Sequence, residues 1–108
     1  MAKGKATVNQ LRTNSGIGFR MIIPKKIVDE LNIKDKETFL QKLVDGHIEM
    51  ERAIKGEDNT VSIEQWKNGT SITTRTYIVA DIASILKLKK GDIMLFKTEE
   101  EKIIIQKF

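Results

Sequence analysis

The chain of 108 residues contains no cysteine, which excludes disulfide bonds, thiol catalysis and metal sites with cysteine ligands. The single histidine, His47, also excludes a histidine-rich zinc site. No apolar run approaches the roughly 20 residues that a membrane helix needs, and the first residues lack the apolar stretch of a secretory signal. We therefore expect a cytoplasmic protein that uses no metal or cofactor and has no contact with a membrane.

Recognisable catalytic motifs are missing as well. The sequence has no nucleophile and base at a known spacing, no metal-ligand cluster and no glycine-rich phosphate loop. No catalytic residue is predicted, and an enzyme is the least favoured class of function.

Positive charge is concentrated near the N-terminus. Residues 1–26 carry six lysine or arginine side chains and no acidic one, whereas the later residues carry 13 basic and 15 acidic side chains. A basic segment on a nearly neutral body is typical of a surface that binds a polyanion. The alternative is that these cations only keep the terminus solvated.

The second half of the chain aligns with the first. Residues 6–53 match residues 61–108 without a gap and with ten identical pairs, and we call the residues matched in this way equivalent. Apolar character is also kept where Val8 aligns with Ile63. The alignment predicts an internal duplication into copy 1 (6–53) and copy 2 (61–108), joined by a polar linker (54–60).

Strand patterns occupy equivalent places in the two copies. Residues 6–11 and 61–66 alternate apolar with polar side chains, as half-buried strands do. Trp66, on the second of these strands, is predicted to face the core. Second strands are predicted through residues 19–23 and 72–78.

A short helix and a hairpin complete each copy. Pro24 suits the first turn of a helix, and Asn32 can adopt the left-handed conformation that ends it. Ile82 begins the apolar stripe of the equivalent helix in copy 2. Asp45-Gly46 predicts a two-residue turn between two further strands.

The predicted fold class follows from these elements. It is mainly β with two short helices, built from tandem ββαββ repeats within a single domain over residues 1–108. One copy alone is too small to bury its own core. Two copies can close into one barrel that leaves no open sheet edge.

Residues 20–33, RMIIPKKIVDELNI, are followed by a strand, Asp45-Gly46 and another strand. This pattern resembles the AbrB/MazE/SpoVT family. Asn14-Ser15 is similar to the MazE-like branch, whereas residues 77–80 of copy 2 lack the isoleucine-proline-lysine step. The resemblance implies a pseudo-twofold swapped-hairpin barrel. It also implies a DNA-binding transcription regulator associated with the nucleoid.

Predicted DNA contacts combine the family resemblance with residue chemistry. Arg20 aligns with an arginine of the family and Arg75 repeats it; such a side chain can grip phosphate or reach a base edge. The alternative is a surface arginine paired with a carboxylate. Loop amides and lysines at a helix start also favour phosphate, although the loop residues can equally serve the turn alone. The predicted contacts are Arg12, Asn14, Ser15, Arg20, Lys25, Lys26, Lys67, Asn68 and Arg75.

Two function classes remain open after these observations. The favoured one is a regulator that binds double-stranded DNA, and the alternative is an antitoxin-like or inhibitor module that binds a protein partner. Association of barrels into a homo-oligomer is also left open. Because Glu64 and Asp81 lie near the cations of copy 2, we expect copy 1 to make the stronger DNA contacts.

Overall fold

Ten strands and two short helices make up the protein in a computed structural model that describes residues 1–108. The elements of the first half are β1 (Lys3–Thr7), β2 (Asn9–Thr13), β3 (Gly16–Ile22), α1 (Lys25–Leu31), β4 (Thr38–Val44) and β5 (His47–Arg52). Those of the second half are β6 (Thr60–Ser62), β7 (Glu64–Asn68), β8 (Ser71–Ile78), α2 (Ala80–Ile85), β9 (Ile93–Glu99) and β10 (Lys102–Lys107).

The strands form two antiparallel sheets, and both halves contribute to each. The six-stranded sheet has the order β1-β9-β10-β5-β4-β6, and the four-stranded sheet has the order β2-β3-β8-β7. In the larger sheet, the first strand of each half pairs with the final hairpin of the other half, β1 with β9 and β6 with β4. In the smaller sheet, β3 and β8 pair at the centre, where Met21 lies opposite Thr76.

The predicted class, mainly β with two short helices, is confirmed. Strands of the two halves begin at equivalent residues: β2 at Asn9 and β7 at Glu64, β4 at Thr38 and β9 at Ile93. The predicted ββαββ order is one strand short, because each half has three strands before its helix.

The extra strand arises because Val8 separates β1 from β2, where the sequence predicts one continuous strand. The Val8 N–H donates to the Asp92 carbonyl at 2.8 Å, and its carbonyl accepts from the Gly91 N–H at 2.9 Å. Ile63 makes equivalent bonds to residues 36–37. Both side chains are fully buried. These bonds hold Val8 against the turn before β9 and Ile63 against the turn before β4. At each of the two residues the chain passes from the six-stranded sheet into the four-stranded sheet.

The closed barrel predicted from the sequence is not found. β1 and β6 form the edges of the six-stranded sheet, and β2 and β7 form the edges of the four-stranded sheet. Since β1 and β2 belong to different sheets on either side of Val8, no continuous strand ladder joins the two sheets. The core lies between their inner faces and includes Met21, Phe39, Ile48, Met50, Met94 and Ile105.

Other local predictions agree closely with the structure. Helix α1 ends at Asn32, which adopts the left-handed conformation at φ 52°, while Pro24 lies just before the first helical residue. Asp45 and Gly46, at φ 49° and 83°, form the turn between β4 and β5. Neither helix combines the length and apolar character needed to cross a membrane.

Gln41 is a buried polar side chain that joins the two sheets. It is 1% exposed in β4, yet its Nε2 donates to the Tyr77 carbonyl at 2.7 Å and its Oε1 accepts from the Val79 N–H at 2.8 Å. The equivalent positions in the other half hold Phe96 and Pro24. Because proline has no N–H, that half needs no acceptor there.

Expression of residues 1–55 and 56–108 as separate chains tests the exchange of strands between halves. We expect neither chain to fold as a stable monomer, because each would lose the partners of its first strand and its hairpin. Circular dichroism with analytical ultracentrifugation measures this. A cooperatively folded monomer from either half would contradict the expectation.

Replacement of Gln41 by methionine tests the buried amide. The variant keeps the side-chain length but leaves the Val79 N–H without an acceptor, while the Tyr77 carbonyl keeps only the Thr76 hydroxyl. We expect a loss of about 1–3 kcal/mol in unfolding free energy. Urea denaturation measures this loss. Gln106→Met, at an exposed position of β10, is the matched control and should change stability by less than about 0.5 kcal/mol; equal effects would contradict the prediction.

Candidate nucleic-acid interface

Alternation along β3 and β8 divides their side chains between the two sides of the four-stranded sheet. Met21, Thr74 and Thr76 are buried on the side that faces the core. Arg20 and Arg75 alternate with them and therefore lie on the opposite side. We call this side the outer face, and the register assigns to it Asn9, Leu11, Arg20, Ile22, Glu64, Trp66, Arg75 and Tyr77.

Arg20 lies near the centre of the outer face and is half-buried. It is directly opposite Asn9 on β2 and Tyr77 on β8. No ion pair or side-chain hydrogen bond engages its guanidinium. Because Asn9 is neutral, the positive charge of the Arg20 guanidinium is not compensated. Its five N–H donors are therefore free to bind an anion that approaches the sheet.

Arg75, the equivalent residue in the second half, is engaged on several sides. Its Nε and Nη2 donate to Glu64 Oε1 at 2.9 and 2.6 Å. Its guanidinium also lies 4.8 Å from the centre of the Trp66 ring and 5.8 Å from that of Tyr77. We call these four residues the Arg75 cluster. Ion pairing neutralises Arg75, and the two cation–π contacts hold its side chain along the sheet.

The prediction that Trp66 belongs to the core is wrong. Trp66 is 37% exposed, because Ile63 faces inward and alternation through β7 places Trp66, an odd number of residues later, on the opposite side. Gln65 faces inward instead, and its Nε2 donates to the Ile33 carbonyl and to Thr74 Oγ1 at 2.9 and 3.0 Å. The stacking of Arg75 on Trp66 was missed for the same reason. The i, i+2 spacing of Glu64 and Trp66 was the available signal that the two share one side.

Arg12 and Lys67 do not share a side with Arg20 and Arg75. Arg12 is opposite Ile17 and Lys67 is opposite Ile72, on the inner side of the sheet. Both isoleucines are exposed, at 58% and 53%, since the β2–β3 and β7–β8 hairpins extend beyond the core there. We call these extensions the two arms.

The remaining loop residues lie at the tips of the arms. Asn14 and Ser15 form the turn between β2 and β3, where the Thr13 hydroxyl donates to the Gly16 carbonyl at 2.9 Å and lies 3.2 Å from Ser15 Oγ. The turn is therefore supported by its own hydroxyl groups. Asn68 ends β7 at the tip of the other arm.

Lysines 25 and 26 lie at the exposed start of α1, and Lys25 lines a cavity together with Lys5, Asn9 and Ile22. Lys25 pairs with Asp29 one helical turn later at 3.3 Å, with both side chains largely exposed; such a pair contributes little to stability. Lys26 has no acidic partner. The nine predicted residues thus occupy three regions: the centre of the outer face, the arms, and the start of α1.

Charges on the six-stranded sheet are largely compensated. Lys42 Nζ lies 2.9 Å from Glu51 Oε1, and Lys102 Nζ lies 3.6 Å from Glu49 Oε1. The hydrogen bond between Lys42 and Glu51 raises the pKa of the lysine and lowers the pKa of the glutamate. Lys3 and Lys5 belong to this sheet through β1. The basic N-terminal segment is therefore divided between the two sheets rather than gathered on one face.

Alanine substitution of the two arginines tests how differently they are held. Arg75→Ala removes a half-buried ion pair and leaves Glu64 without its partner, so we expect a loss of about 1 kcal/mol after allowance for the partial exposure of both groups. Arg20→Ala should change stability by less than about 0.5 kcal/mol. Thermal denaturation compares the two; a larger loss for Arg20→Ala would show that Arg20 has a structural role.

Comparison of the chain with protein-family models, with curated proteins and with solved structures gives no match. The family resemblance seen in residues 20–33 and in the following hairpin therefore stays a prediction from the sequence. Function has to be inferred from the placement and pairing of the side chains described above.

Proposed function

We propose that the protein is a transcription regulator of the AbrB/MazE/SpoVT type that binds duplex DNA. It would do so through the outer face of the four-stranded sheet. The observation that carries the proposal is Arg20: an arginine without an acidic partner, held at the centre of an open sheet face. Arginine without internal compensation is suited to phosphate and to base edges, because its donors form a rigid fork. No metal or cofactor takes part in this proposal.

We also infer that the two halves come from duplication of one unit, with the pseudo-twofold, swapped-hairpin arrangement that the resemblance implies. The start of strands at equivalent residues in the two halves supports the duplication. The exchange of β1 and β6 between the halves supports the swapped arrangement. In this view a single chain supplies what two identical subunits would otherwise provide.

The arms would extend the DNA contact away from the centre. β3 pairs with β8 only from Phe19 onward, and its first residues pair with β2 alone. Since β3 and β8 are antiparallel, the arms extend towards opposite ends of the sheet. Asn14 and Ser15 at one tip and Asn68 at the other would contact phosphates, as polar turns commonly do. Most of the affinity would come from phosphate contacts and DNA shape rather than from base readout.

A second candidate function is the binding of a protein partner. The observation that favours it is the exposure of Ile17 and Ile72 on the inner side of the arms, since exposed apolar side chains at equivalent positions suit a protein surface. Such a module would act as an antitoxin-like or inhibitor protein. DNA binding distinguishes the two candidates.

Fluorescence anisotropy with labelled duplex DNA at two salt concentrations tests the proposed function. We expect binding that weakens as salt rises, with a log–log slope of about 0.9 for each neutralised phosphate. Arg20→Ala should weaken binding about tenfold more than Arg75→Ala, because Glu64 already neutralises Arg75. It should also reduce the magnitude of the salt slope by about one.

Control duplexes of random and AT-rich sequence separate general phosphate binding from shape recognition. Absence of binding by the wild-type protein even at low salt would reject the DNA proposal and favour the protein-partner candidate. Equal losses for the two alanine variants would instead leave DNA binding in place and show that both halves contact the duplex alike.

A further inference from the structure

The outer face presents two equivalent arginines whose neighbours on the edge strands differ in charge. Arg20 lies opposite Asn9, and Arg75 lies opposite Glu64. Asn9 and Glu64 are themselves equivalent in the alignment of the two halves. The same backbone register thus offers one arginine a neutral neighbour and the other a carboxylate.

The carboxylate changes what Arg75 can bind. Two of its N–H groups already donate to Glu64 Oε1, and its side chain is 22% exposed between Glu64 and the rings of Trp66 and Tyr77. A phosphate would have to displace Glu64 and would be repelled by it. The charge of the pair is close to zero, so Arg75 adds little attraction for a polyanion.

The first half lacks the carboxylate and both aromatic rings of the Arg75 cluster. Where the second half has Glu64, Trp66 and Tyr77, the first half has Asn9, Leu11 and Ile22. No carboxylate accepts from Arg20, and no aromatic ring of its own half stacks on it. The difference therefore lies in side chains on one register, not in the path of the chain.

We propose that Glu64 keeps Arg75 from contacting DNA, so that the first half makes the dominant contact and the protein recognises a non-palindromic duplex with one dominant half-site. This inference rests on the proposed DNA-binding function. If neither arginine were paired with a carboxylate, their pseudo-twofold arrangement would favour a palindromic site, because two-fold symmetry in a protein is matched by symmetry in its operator. Glu64 makes the charge distribution of the outer face asymmetric, although the backbone arrangement stays pseudo-symmetric.

Exchange of the two neighbours tests the proposal directly. Glu64→Asn gives Arg75 the neighbour that Arg20 has, and should bind duplex DNA about tenfold more tightly with a salt slope larger by about one, the contribution of one further phosphate. Asn9→Glu should weaken binding about tenfold. The double variant should regain affinity close to that of the wild type, because the second half now supplies the unpaired arginine.

Two controls carry the same changes of charge on the other sheet. Glu100→Asn lies in the β9–β10 turn, where its φ of 50° suits asparagine, and Gln106→Glu lies at an exposed position of β10. Both should alter DNA affinity less than twofold. Changes as large as those of Glu64→Asn and Asn9→Glu would show that net charge alone sets affinity and would overturn the proposal.

Trp66 provides a readout of the second half, because it is the only tryptophan in the chain. Its emission should change little when the wild type binds DNA and should be quenched when Glu64→Asn binds. Wild-type binding with no gain of affinity or quenching in Glu64→Asn would overturn the inference and leave the proposed function standing. Failure of the wild type and Glu64→Asn to bind at low salt would reject both.

Discussion

The exchange of first strands between the halves is the constraint on which the rest of the structure depends. β1 pairs with β9 and β6 pairs with β4, so the hairpin of each half is completed by the other. Val8 and Ile63 then turn the chain from the larger sheet into the smaller one. These two turns bring β3 and β8 together at the centre of the four-stranded sheet and so determine where Arg20 and Arg75 lie. The outer face is a consequence of strand exchange, not an independent feature.

The two halves differ at matched pairs of residues within this shared arrangement of strands. Gln41 accepts a hydrogen bond from the Val79 N–H. The equivalent of Val79 is Pro24, which has no N–H, and the equivalent of Gln41 is the apolar Phe96. At this pair of positions, a buried amide is present only where a backbone N–H needs an acceptor. Asn9 and Glu64 are likewise equivalent positions, on the outer face, and they differ in charge. One backbone arrangement therefore supports a different chemistry at each of its two equivalent ends.

Local features could be predicted from the sequence because they depend on neighbouring residues. Asp45-Gly46 specifies its turn through backbone conformations that few residues tolerate, and Asn32 ends α1 for the same reason. The end of β1 at Val8 could not be predicted, because the bonds that hold Val8 come from residues near the opposite end of the chain. The error on Trp66 has another source: an apolar side chain was assigned to the core although its odd spacing from Ile63 places it on the other side of the strand. The closed barrel was wrongly predicted because periodicity indicates strands but not which strand lies beside which. For the site, the carboxylate near Arg75 was visible in the sequence, whereas the division of the basic segment between two sheets was not.

Strand exchange also affects the order in which the chain can fold. Lys3 pairs with Lys97, so during synthesis β1 leaves the ribosome long before its partner exists. Pairings this distant in sequence slow folding and leave strand edges exposed meanwhile. Lysine side chains discourage such edges from joining those of other chains, and β1 carries two of them, Lys3 and Lys5. Charge at the start of the chain would thus protect the nascent protein from aggregation, a role separate from any contact with DNA.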